Sequence, residues 1–231
     1  MTKLTVVELK LLTREPGAVF TLLIPLFMLV IFGSSIEPGD TVLLPMSLAI
    51  AVGLVGLYML PTTMATYRER GILRRLSTTP VRPASMLAVQ VMLQLVLALA
   101  ACGLLLAVAG TVLGAHLPTQ VLSVGLVFLL GTAAMFAIGL LIAALAANGR
   151  TANGVGVLLY FPMAYLAGLM QPTDQMPVIL ARVGEYTPMG AFRQSLQDVW
   201  AGGAPSPLLL GVMAAYALVI SIAAAAFFRW E

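Results

Sequence analysis

Long stretches of this chain carry no charge. No Asp, Glu, Lys or Arg falls between Glu15 and Glu37, Asp40 and Arg68, Arg82 and Arg150, Arg150 and Asp174, or Asp198 and Arg229. A helix needs about 20 apolar residues to cross the hydrocarbon of a bilayer. The window from Arg82 to Arg150 has room for two crossings, and GAHLPT (114–119) divides it, with Gly114 and Pro118 as punctuation and His116 its one titratable group. The pattern predicts six membrane helices, at about 18–36, 42–66, 86–113, 120–147, 154–171 and 207–228. The fold class that follows is an all-α integral membrane protein, one transmembrane domain over residues 1–231.

Composition strengthens that reading. Of the 231 residues, 61% are hydrophobic and 9% charged, where a soluble domain has about a quarter charged. A large core does not explain the deficit, because a surface facing water still has to be solvated. The apolar run at 18–36 is longer than a signal-peptide core and no A-x-A site follows it, so it is expected to stay as a span. An even number of spans puts both termini on one side. Lys3, Lys10, Arg14, Arg68, Arg70, Arg74, Arg75, Arg82, Arg150 and Arg229 share that side, against Arg182 and Arg193 opposite. The positive-inside rule makes it the cytoplasm. The net charge of +3 is thus an orientation signal, with no nucleic-acid partner implied.

Two segments outside the spans have a helical pattern. Residues 1–15 place Leu4, Val7, Leu11 and Leu12 near one face, as a helix lying in the headgroup layer would. Residues 171–206 read as an external helical hairpin. Thr187 is its internal N-cap and Pro188 an N1 proline, followed by apolar Met189, Phe192, Leu196, Val199 and Trp200, with Arg193, Gln194, Gln197 and Asp198 elsewhere on the wheel. A structural lid and a substrate-handling element both fit.

Candidate chemistry is sparse. There is one His, no acidic pair within a span, no cluster with metal-ligand spacing and a lone Cys102, so neither a membrane enzyme nor a bound metal is expected. There is also no G-x-x-x-x-G-K-[ST] phosphate loop, and no cofactor is expected on this chain. Uncharged polar residues do occur in the spans: Thr62, Thr63 and Thr66, then Gln90 and Gln94 four apart, then Asn153, Tyr160 and Tyr165. They fit interhelical hydrogen bonding or the lining of a substrate path.

The segment YRERGILRRLSTTPVRPAS (67–85) concentrates five of the twelve basic residues. Arg68, Glu69, Arg70, Arg74 and Arg75 surround Ile72, Leu73 and Leu76 at helical spacing, and Ser77–Pro80 end the pattern. A short amphipathic helix starting at Arg68 is expected, either hugging anionic lipid or docking a partner.

The run ERGILRRLSTTPVRPASMLAVQ (69–90) resembles the loop between the second and third helices of the ABC-2 permeases, a family with six membrane helices. LAGLMQP (166–172) resembles the end of their fifth helix, and EYTPMGAFRQSL (185–196) their segment before the sixth, with Thr187 where Asn is usual. The nearest likeness is to daunorubicin/doxorubicin-type drug exporters. The resemblance implies a coupling helix, carried here by Glu69, Arg70, Gly71, Ile72, Leu73, Arg74, Arg75, Leu76, Thr79 and Pro80, that docks on a separate ATPase. It further implies a connecting helix at the N-terminus and re-entrant helices in the hairpin, around Thr187, Pro188, Phe192 and Arg193. Two ATPase subunits carrying ATP and Mg, a second permease copy as a homodimer, and a bacterial plasma-membrane location with export of amphipathic drugs or lipids are implied too. A non-transporting assembly or immunity module on the same scaffold, and a lipid-modifying membrane enzyme, are the alternatives.

Overall fold

In the computed structural model, residues 16–33, 40–71 and 83–227 are described, and every regular element among them is helical. The elements are α1 (Pro16–Gly33), α2 (Leu43–Glu69), α3 (Pro83–Thr111), α4 (Val121–Leu145), α5 (Gly149–Leu166), α6 (Val178–Glu185), α7 (Pro188–Trp200) and α8 (Pro207–Phe227). Four of them, α2, α3, α4 and α8, are long and apolar enough to cross a membrane. Helices α1 and α5 have 18 residues each, about 27 Å at 1.5 Å per residue, near the lower end of a spanning length.

Helix α2 is the central element. Leu48, Val52, Val55, Leu57, Leu60 and Met64 have essentially no exposure, and α1, α3, α4, α5 and α7 all pack on it. It is not a uniform α-helix: Val55–Met59 form a π turn in which the Leu60 N–H reaches back five residues to the Val55 carbonyl. Pro61 gives the reason. It has no N–H for the Leu57 carbonyl, and in a tight α turn its ring would collide there. The wider turn relieves that collision, a common setting for a π bulge.

The carbonyls deprived of their usual donors, Gly56 and Leu57, meet glycines of neighbouring helices. Gly139 of α4 faces the Gly56 oxygen and Gly156 of α5 the Leu57 oxygen, each so closely that a Cβ has no room. Only a glycine Cα can come that near, and it can offer a weak C–H···O contact. Three helices therefore cross at one π turn. By contrast, α8 lies along α4 with most of its surface outward.

The fifth helix begins five residues before the expected 154. Asn148 is its N-cap, accepting a hydrogen bond from Thr151 N at 2.8 Å, so Gly149 and Arg150 open the helix. It ends at Leu166 rather than 171, where Gly168 takes φ +76°. The second helix runs past the expected 66. Arg68 and Glu69 are still helical, and Gly71 at φ +65°, a backbone conformation that favours glycine, ends the turn. This corrects the expected helix starting at Arg68: its first residues belong to α2, and Gly71 breaks it before the apolar Ile72. Residues 72–82 lie outside the described residues, as do 1–15.

The hairpin corresponds to expectation in its elements but lies deeper than a surface lid. Thr187 caps α7, accepting from Gly190 N at 3.1 Å while its hydroxyl donates to the Gly184 carbonyl at 2.7 Å. Met189, Ala191, Phe192, Ser195 and Leu196 are fully buried. Phe192 lies against Gly131 and meets Phe128 edge-on, with ring centroids 6.3 Å apart, and Met189 lies against Gly53. Gly53 and Gly131 are each ten residues into their helices, so α7 reaches about 15 Å into the bundle. It is re-entrant.

Candidate functional site

Among the described residues, three places gather polar groups that meet neighbouring elements or line a groove. The first is the end of α2 that leads into the basic segment, here the Glu69 end. The Arg68 guanidinium donates to two main-chain carbonyls of the α4–α5 turn, Ala144 O at 3.1 Å and Ala146 O. These are carbonyls that a helix C-terminus leaves without partners, and a cation is favoured beside them. The next residue does the opposite. A carboxylate oxygen of Glu69 accepts the Gly149 N–H at 3.0 Å, at the start of α5, where orphan donors favour an anion. One turn earlier, Thr66 Oγ1 stands where a Cβ on Gly149 would be, so α5 starts directly on α2. Of the ten residues implied in ATPase coupling, Glu69, Arg70 and Gly71 are in view. Ile72, Leu73, Arg74, Arg75, Leu76, Thr79 and Pro80 lie outside the described residues.

The second place is a groove of about 240 Å³ between α1, α2 and α5. Phe20, Ile24, Leu54, Val157 and Phe161 give it an apolar lining, and Thr21, Tyr58 and Tyr160 the only polar groups. The Thr21 hydroxyl is committed to the Gly17 carbonyl at 2.7 Å. Of the residues singled out from sequence for a path, only Tyr160 lines this groove. Thr62 donates to the Tyr58 carbonyl at 2.6 Å, and Thr63 is buried. Asn153 is half-buried on α5, and the Tyr165 hydroxyl pairs with Gln171 Oε1 at 3.4 Å at the far end. Gln90 and Gln94 line no groove described here. They are buried inside the bundle, and both amide heteroatoms of Gln94 lack a partner among the described residues.

The third place is the hairpin end. Arg193, expected on the polar side of its helix, is 8% exposed, with its guanidinium against Gly168. It donates to Gln197 Oε1 at 2.6 Å and Gln194 Oε1 at 3.4 Å, and Gln194 passes a bond on to Asp198 at 3.2 Å. Burial lowers the guanidinium's pKa from its usual value, and the Asp198 charge opposes that shift. Arginine keeps its proton regardless. Arg193 also borders a surface cavity of about 630 Å³ reaching Met28, Phe32, Leu43 and Leu169.

Sequence reading missed Arg68 as an inward-facing residue, Asn148 as a cap and the burial of Arg193. Pro61 within an apolar run was the one visible signal for the π turn. Among the described residues, no three His, Cys, Asp or Glu side chains converge as metal ligands would. A family model described as ABC-2 type transporter matches residues 2–199. No curated protein matches the chain.

Proposed function

The chain belongs to the ABC-2 type transporter family, and from that premise we propose that it is the permease subunit of an ATP-driven exporter for amphipathic, drug-like or lipid-like molecules. A multi-pass membrane domain of this family supplies the path, and the ATPase with its ATP and Mg is a separate pair of subunits. The observation that carries the reading is the match across 2–199, which takes in the helices through α7 and the basic segment. Six crossings follow if α1 and α5 span with the four longer helices, and the basic residues then set the Glu69 end in the cytoplasm of a bacterial plasma membrane.

Substrate class is argued from the groove. Its aliphatic and aromatic wall with two tyrosines suits an apolar body bearing few hydrogen-bonding groups. A sugar would need a denser polar lining. A second copy is expected to close the path on the outward face of α5, where Val155, Leu158 and Phe161 are exposed and nothing stands within 4 Å of a Cβ on Gly154.

Affinity capture of the tagged chain from native membranes, with mass spectrometry of what accompanies it, tests the coupling. An ATP-binding-cassette ATPase is expected with the native chain, and its loss is expected from a stably inserted Arg74→Glu, Leu76→Asp variant. Finding no such ATPase after mild solubilisation contradicts the proposal.

A further inference from the structure

We propose that Arg68 and Glu69 are transmission residues, coupling the driven segment to α4 and α5 through the turn that joins those helices. The inference rests on the ATPase-driven reading above and changes the role of Glu69. A docking residue would present its carboxylate to the partner. Here that carboxylate holds the first N–H of α5, and the preceding guanidinium holds the last carbonyls of α4.

The charges match the helix ends they meet: a cation at a C-terminus and an anion at an N-terminus, from two adjacent residues of one helix end. Neither bond has a donor–acceptor substitute within its own helix, because terminal groups lack intrahelical partners by construction. Asn148 takes the Thr151 N–H, which leaves Gly149 to Glu69. Packing fixes the register, since Thr66 fills the space a side chain at 149 would need.

The placement matters because two residues later Gly71 ends the helix and the chain enters the basic segment. A push on that segment reaches α2 at Glu69. Without the clamp it would be taken up by rotation of α2's last turn. With it, the same displacement moves the α4–α5 turn, and with it Tyr160 on the groove wall. A discrete polar contact between rigid helices can carry such motion where a flexible loop would absorb it.

The test uses the chain with its co-purified ATPase in proteoliposomes. It compares Glu69→Ala, Glu69→Gln, Arg68→Ala and Arg68→Lys for ATPase retention and for dye moved per ATP hydrolysed. The alanine variants are expected to keep the ATPase bound and to lower that ratio about tenfold, within the span of coupling energies between sites. Gln can still accept the Gly149 N–H and Lys can still donate, so both should recover most of the ratio. Hydrogen exchange over residues 144–152, measured without the ATPase, should rise in both alanine variants. An alanine variant with the native ratio overturns the proposal, as does one that loses the ATPase, which would make the residue a docking contact. A native complex in which hydrolysis moves no dye removes the underlying reading and the clamp with it, whereas a driven native complex with an unaffected Glu69→Ala removes the clamp alone.

Discussion

Replacing Gly139 by alanine should damage the bundle more than one added methyl group suggests. The new Cβ would stand 3.2 Å from the carbonyl carbon of Gly56 and 3.3 Å from Leu60 Cδ2. The Gly56 oxygen points toward it, closer by about 1.2 Å, one C=O bond, which leaves about 2 Å where carbon and oxygen normally keep about 3.3 Å. The obstacle is backbone at the middle of the central helix, so no side-chain rotation relieves it. Helix α4 must back away by roughly 1 Å and lose contacts along the crossing. Overpacking costs about 1–3 kcal/mol, and a backbone obstacle belongs at the upper end. Alanine's better helix propensity returns up to about 1 kcal/mol. A net loss of about 2 kcal/mol corresponds to a fall of about 4–8 °C in thermal midpoint for a chain of this size. Size-exclusion of detergent-solubilised protein after stepwise heating reads it, with Gly125→Ala on the same helix as control, because nothing lies within 4 Å of a Cβ there. If Gly139→Ala melts with the control or above it, the π-turn crossing is not the tight joint argued for.

Two further expectations use the same assay, and a third uses dye transport. Gln94→Leu should raise the midpoint by a few degrees, since it removes a buried amide whose heteroatoms have no partner among the described residues and which costs about 1–3 kcal/mol; a lower midpoint would mean the amide is satisfied. Thr187→Ala should lose about 1 kcal/mol of capping at α7 while Thr187→Asn keeps it, and equal melting of the two would refute the cap. Tyr160→Ala should reduce dye transport at unchanged expression, whereas Gln90→Leu should not, because only Tyr160 lines the groove; the reverse pattern would move the path to α3.

Hydrophobic spacing told most of the fold in advance. Charge-free windows located the long helices, four of which are long and apolar enough to cross a membrane, and Thr187–Pro188 located the hairpin's inner corner, because these signals are local. What escaped depended on neighbours. Arg193 looked like a solvated residue on its own wheel, but it is buried, with the turn at Gly168 against its guanidinium. Gln90 and Gln94 shared a helix face as a path lining would, yet both are buried inside the bundle. The Arg68 and Glu69 side chains read as part of a basic surface until the α4–α5 turn was placed beside them. Pro61 went unread; taken alone it would have marked a disturbed helix, but not which carbonyls it would free nor which glycines would meet them.

Whether ATP hydrolysis on a separate chain drives this bundle is decided most directly by transport in proteoliposomes holding the chain and its captured ATPase. A rhodamine-type amphipathic dye and a fluorescent phospholipid analogue serve as probes. At least one is expected to move only with both chains and hydrolysable ATP present, and to stop in Leu76→Asp. Movement that persists without the ATPase, or with a non-hydrolysable ATP analogue, would contradict it.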